Sequence, residues 1–143
     1  YSSAASDVSK RQYTTFALSA YIGMTRSEIN EYMLPFVAKV IEPMINTLAL
    51  KIIHDHVDRG DAILLASATN ELIVRPIAER LDIQNVIGTQ VKFNDGKCPG
   101  EYIPPSALGA GELQRVDQWM HDNGNADFTE VTFYSDSIND LPL

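Results

Sequence analysis

A chain of 143 residues with 45% hydrophobic side chains has room for one domain and can bury a sizeable core. Its formal net charge of -8 at pH 7 repels nucleic-acid backbones and anionic membrane surfaces, so neither is expected as a partner, and a small anionic ligand is admitted only where local groups or a metal neutralise it. The single cysteine, Cys98, excludes an internal disulfide, no apolar run approaches the ~20 residues of a membrane span, and no charged-then-apolar start resembles a signal peptide, so a reducing, cytoplasmic setting is expected.

The chain opens on YSSAASD and stops on LPL directly after a strand-like run, and both ends read as cut. Residues 1 to 12 are polar with little periodicity. At Thr25 the sequence TRSE predicts a capping box, Thr25 receiving the first turn and Glu28 reaching back, ahead of apolar Ile29, Met33, Phe36, Val37 and Val40 at helical spacing. Pro35 and Pro43 should kink or divide that helix. Met44, Leu48, Ile52 and Ile53 continue a helical pattern to a stop at Arg59-Gly60. His54 and His56, near that stop, read as helix-end residues and not as metal ligands, since side chains two apart do not share a helix face.

DAILLASAT, 61 to 69, is the short continuous apolar run of a strand buried on both faces. ELIVRPIAERLDI predicts a helix, NVIGTQVKF a second strand running into the turn NDGK, and GELQRVDQWMHDNG an amphipathic helix with Leu113, Val116, Trp119 and Met120 on one face. EVTFYSD, from Glu130, reads as another buried strand. Helices alternating with strands from residue 44 onward predict an α/β core with a mainly parallel sheet, over residues 44–143, and the strandless residues 1–43 form a separate helical element. The segments around 62–67 and 130–135 are expected to be neighbouring parallel strands.

In an open parallel sheet, ligands bind just beyond the carboxyl ends of the strands. One such end is LLASATN, where Ser67, Thr69 and Asn70 run straight into the next helix. Hydroxyls and free N–H groups at a helix N-terminus make a phosphate cradle, although Ser, Thr and Asn are also the ordinary N-cap residues. The other is YSDSIND, where Asp136 and Asp140 stand four residues apart. That spacing is met in solvated turns and equally in Mg²⁺ sites, which need only one or two carboxylates alongside substrate phosphate. Cys98, in the turn-rich stretch NDGKCPGEY, has no partner in view for nucleophilic chemistry.

Taken in order, residues 61 to 70, GELQRVDQWM and TFYSDSINDLPL resemble the haloacid dehalogenase superfamily, in its phosphoserine-phosphatase-like branch with a helical cap, and IGMTRSEINEYMLPFVAKVIEPM looks like the cap returning to the core. The resemblance implies a Rossmann-like core and an Mg²⁺-dependent phosphomonoesterase that acts on a small phosphorylated metabolite through an aspartyl-phosphate. It implies that Ser67 and the Ala68 N–H bind the transferring phosphoryl group, that Asp136 holds Mg²⁺ and Asp140 positions its waters, and that Asn139 donates to phosphate or substrate. Ser67 and Asp136 should then converge on one pocket. Two features depart from the family pattern. No DxD stands at a strand end in these residues, so the family's nucleophilic aspartate has no counterpart here. Aligning GAGELQRVDQWM with the family's GxGKVxxLxxWL also sets Glu112 where a phosphate-binding lysine is expected, with Lys92 and Lys97 as the nearest substitutes in sequence. A carboxylate there would repel phosphate and favours the alternative of a relative that binds a phosphorylated ligand or a partner without hydrolysis. A third reading is an unrelated α/β domain whose SDSIND is only a loop.

Overall fold

The first long helix, α1 (Arg26–Phe36), starts where its sequence says it should: the Glu28 N–H donates to Thr25 Oγ1 at 3.2 Å and the Thr25 N–H donates to Glu28 Oε2 at 2.8 Å. The structure, a computed structural model, describes residues 16–104, 110–124 and 128–135. Pro35 has no N–H to continue the helical ladder, and two residues later the helix widens into a π-turn, Val37–Ile41, followed by a 3₁₀ turn, Glu42–Met44, that contains Pro43. That change of pitch alters which side chains face inward. Ile29, Met33 and Val37, each four residues on from the last, are buried, whereas Phe36 and Val40, expected on the same face, are exposed.

Asn46 caps α2 (Thr47–Asp58) through Leu48 N–H at 2.8 Å. The helix starts three residues later than the apolar pattern suggests, because Met44 belongs to the 3₁₀ turn and is exposed. It stops at Gly60, whose φ of +80° suits a residue without Cβ. A turn then leads to β1 (Leu64–Asn70), helix α3 (Glu71–Arg80) and β2 (Asn85–Thr89). The strands pair in parallel, Leu64 with Asn85, Leu65 with Val86 and Ala66 with Ile87, with an irregularity before Asn70 meets Thr89. This is the expected α/β architecture with an open parallel sheet. β1 is half-buried along Leu64–Ala68 and not sealed on both faces, since among the described residues β2 is its only partner.

The second strand is shorter than NVIGTQVKF suggested. Beyond Thr89 the neighbouring chain has already become α3, so no strand edge remains to pair with, and residues 91–102 fold back as a hairpin. Lys92 N–H donates to Glu101 O at 2.9 Å, and the expected turn at Asn94–Lys97 forms with Asp95 and Gly96 at φ of 50° and 77°. The hairpin is stitched to the helical element by Gly23 N–H to Cys98 O and Cys98 N–H to Met24 O. One buried cluster unites Leu18, Tyr21, Ile29 and Met33 with Leu72 of α3 and with Val91 and Cys98 of the hairpin. The described part of the N-terminal element is helical and packs on α3 and the hairpin. Cys98 is a core side chain.

Helix α4 (Ala110–Asp122) lies against both strands with Leu113, Val116 and Trp119 half-buried, and Trp119 stacks on Phe128 with ring centroids 6.1 Å apart. The expected strand over 130–135 is not formed. Residues 128–135 carry no ladder, and Val131, Phe133 and Tyr134 are 64%, 47% and 59% exposed. An apolar run becomes a strand only where it pairs with a neighbour's edge, and among the described residues this run pairs with neither β1 nor β2. Instead Tyr134 reaches His56, at the end of α2.

Replacing Thr25 with alanine removes an N-cap and half of a capping box at the join between the helical element and the hairpin. Stability should fall by about 1 kcal/mol, measurable as a lower melting temperature, and Thr25→Ser should restore most of it.

Candidate functional site at the end of the parallel strands

At the carboxyl end of β1 the chain turns directly into α3, and the local sequence fixes that turn without capping the helix. Ser67 Oγ accepts from the Thr69 N–H at 3.2 Å, and Thr89 Oγ1 donates to Ala68 O at 2.9 Å, which ties the turn to β2. Asn70 occupies the N-cap position with extended backbone, yet its side chain makes no capping bond. The residue is only 6% exposed, and Oδ1 has no hydrogen-bond partner. An orphaned buried acceptor costs roughly 1–3 kcal/mol. Helix N-termini favour anions through their leading N–H groups and dipole, and Asn70 does not cap this one with its side chain.

Gly88 explains how β2 comes this close. A Cβ there would sit 3.0 Å from Thr69 O and 3.2 Å from Glu71 Cα, both backbone atoms that cannot swing away. Glu71, the first residue of α3, is buried and heavily engaged. Its Oε1 accepts from Val91 N–H at 3.1 Å and from Arg26 at 3.4 Å, and its Oε2 from Arg75 Nε at 3.0 Å. Burial pushes this carboxyl pKa up, but the Val91 N–H, the Arg75 hydrogen bond and the charges of Arg26 and Arg75 outweigh it and hold it below the ordinary carboxylate value. Arg26 also lies over the Phe93 ring, 4.4 Å from its centroid.

Helix α4 supplies the remaining charges. Glu112 is 7% exposed and so faces inward, not toward solvent. One turn further on, Arg115 reaches Gly88 O and Ile103 O, each at 3.4 Å. Burial lowers the pKa of Arg115, opposed by the charge of Glu71, and the group stays protonated. Lys92 pairs with Glu101 on the hairpin, and Lys97 lies in the hairpin turn, bridged to Thr25.

Of the expected site residues, Ser67 and Ala68 stand together at the strand end beside α3. Asp136, Asn139 and Asp140 lie outside the described residues. Among the described residues no group of three or more His, Cys, Asp or Glu side chains could hold a metal ion, and no helix is long and apolar enough to cross a membrane. The donors at the end of β1 are a hydroxyl and N–H groups, a set that suits an anion. The hard oxygens required by Mg²⁺ would come from the two C-terminal aspartates. His56 is a helix-end residue, as its position suggested, 2.7 Å from Asp61 and 3.0 Å from Tyr134 Oη. Sequence reasoning missed Glu71 and Arg115. Arg75, four residues beyond Glu71, was the one local signal for the former.

The profile of the haloacid dehalogenase-like hydrolase family matches residues 2–143. A histidinol-phosphatase of Neisseria meningitidis serogroup C (strain 8013) is 34% identical over 134 residues, covering 92% of this chain and 60% of that protein. Phosphoserine phosphatase SerB1 of Mycobacterium tuberculosis (strain ATCC 25618 / H37Rv) is 31% identical over 88 residues, covering 62% of this chain and 28% of that protein. A crystal structure of a protein with unknown function from Bordetella pertussis Tohama I superimposes with a TM-score of 0.85 at 31% identity, over 92% of this chain and 60% of its own. The chain thus spans 60% or less of the length of each of these relatives.

Because the folded-state pKa of Glu71 lies below its ordinary value, its contribution to stability is present above that value and is lost as pH falls through the depressed one. Glu71→Gln should therefore lower the melting temperature clearly at pH 7. The gap from the unmodified protein should narrow as pH falls below the ordinary carboxylate range, and a gap independent of pH would assign the loss to packing alone.

Proposed function

The chain belongs to the haloacid dehalogenase-like hydrolase family, and from that premise we propose that it functions as an Mg²⁺-dependent phosphomonoesterase of the phosphoserine-phosphatase-like type, acting in the cytoplasm on a small phosphorylated metabolite. The observation that supports this reading best is the uncapped head of α3, with Ser67 and the Ala68 N–H at the end of β1 and a buried, unsatisfied Asn70 beside them. Phosphoryl transfer depends on in-line positioning and on neutralising the equatorial oxygens more than on elaborate acid chemistry. In this reading Ser67 and Ala68 hold the phosphoryl oxygens, Asn139 donates to phosphate or substrate, and Asp136 and Asp140 hold the metal. Mg²⁺, when bound, supplies charge neutralisation at the transferring group. Hydrolysis divides into formation and breakdown of an aspartyl-phosphate, whose aspartate is not assigned to any residue of this sequence.

The names histidinol-phosphatase and phosphoserine phosphatase both denote phosphate esters of alcohols that carry an amino group, so esters of that class are the first substrates to assay. A second reading, a relative that binds phosphorylated ligands or a partner without hydrolysing, is favoured by buried Glu112 at the expected lysine position.

The deciding experiment is hydrolysis of a panel of phosphomonoesters by the full-length protein, with and without Mg²⁺. Turnover should require the metal. Asp136→Asn should abolish that turnover, and Ser67→Ala should lower it by about 100-fold, the scale of one lost transition-state donor. Saturable binding of a phosphate ester with no turnover under any condition would replace this reading with the second.

A further inference from the structure

Residues 128–135 run directly into the stretch of sequence that carries Asp136, yet among the described residues no sheet ladder holds them. Ring contacts fix the run instead. At its start Phe128 stacks on Trp119 of α4, and near its end Tyr134 meets His56 edge-on, with ring centroids 5.6 Å apart and His56 Nε2 3.0 Å from Tyr134 Oη. Tyr134 is 59% exposed, so burial does little to hold it.

His56 is itself held firmly. It stands in the last turn of α2, and Nδ1 lies 2.7 Å from Asp61 Oδ2, in the turn that leads to β1. Arg59 braces both partners, donating from Nε to the same Asp61 oxygen at 3.2 Å and placing Nη2 2.8 Å from His56 Nδ1. A phenol hydroxyl both donates and accepts, so the bond between Nε2 and Tyr134 Oη forms whichever ring nitrogen carries the proton. The contact therefore joins the entry to β1, the strand that carries Ser67, to the run before Asp136.

Two residues of chain reach at most about 7 Å, so Asp136 is tethered within that distance of Tyr134 along the backbone. Mg²⁺ takes its oxygens only at about 2.1 Å in a near-octahedral array, which makes its affinity sensitive to where a carboxylate is held. We propose that His56, acting through Tyr134, is a positioning residue for the metal-binding carboxylate of Asp136. That role rests on the phosphatase reading for the identity of the metal site. It gives His56 a part that neither its place at a helix end nor the motif pattern supplies.

The test is calorimetric titration of Mg²⁺ into the full-length protein, read beside the melting temperature. Tyr134→Phe removes one hydroxyl from an exposed side chain, and it should weaken Mg²⁺ binding by about 10-fold, the low end of what partners of metal ligands contribute. His56→Ala should weaken binding by about the same factor, and the double variant should lose no more than either single one, because both remove the same bond. His56→Gln, whose amide nitrogen stands in for Nε2, should recover most of the loss. Should His56→Ala fail to fold, Tyr134→Phe decides alone. Unweakened Mg²⁺ binding in Tyr134→Phe, losses that multiply in the double variant, or a loss that His56→Gln leaves unrecovered overturns the inference and leaves the phosphatase reading standing. A lower melting temperature with unchanged Mg²⁺ affinity would likewise reduce His56 to a purely structural residue. An unmodified protein that binds no Mg²⁺ and hydrolyses no ester removes both.

Discussion

Glu71 is a carboxylate taken out of water at the first position of a helix, and the geometry around the candidate site depends on how it is satisfied. Three donors converge on it from three elements, its own helix among them: Arg26 from the start of α1, Arg75 from one turn along α3, and the Val91 N–H where the chain leaves β2. Desolvating the charge is unfavourable, and only a full set of donors makes it tolerable. Removing any one donor leaves the charge under-compensated, so the three elements are held in one relative placement. The residue immediately before Glu71 is Asn70, and the turn back to Ser67 is fixed with it.

That constraint explains why the turn is both dense and unsatisfied. Gly88 admits β2 to within contact of Thr69 and Glu71, where any other side chain would meet backbone. Thr89 ties down Ala68 O, and the Thr69 N–H is taken by Ser67. The natural capping residue, Asn70, is buried without capping. Local structure is thus spent on holding the turn still, and Asn70 adds no side-chain cap to the first helical turn. In a chain with a strong negative excess, the proposed anion site depends on the dipole and donors at the head of that helix.

Elements whose signals are local were legible in the sequence. The capping box at Thr25 and Glu28, the breaks around Pro35 and Pro43, the stop at Gly60, the turn at Asp95-Gly96 and the helix over 110–122 all rest on contacts within a few residues. The parallel pairing of β1 with β2 followed from the alternation of helix and strand. What failed depended on partners. The run at 131–134 has strand composition but pairs with neither strand among the described residues, and β2 ends where its neighbour becomes a helix. Val40 left the buried stripe where a π-turn changed the helical pitch, which hydrophobic spacing does not encode, and Phe36 is exposed at the last position of α1. Glu71 was invisible for a related reason: two of its donors lie 45 and 20 residues away in sequence. Ser67 and Ala68 lie at the strand end where the sequence placed them, next to the first turn of α3.

The central claim is that the turn from β1 into α3 is an anion site. It is tested most directly by a crystal structure of the full-length protein grown with orthovanadate, a phosphate mimic that diffraction locates without reference to turnover. The account predicts the anion within hydrogen-bond distance of Ser67 Oγ and the Ala68 N–H, at the head of α3. Vanadate bound elsewhere, with the turn from Ser67 to Asn70 unliganded, would contradict it.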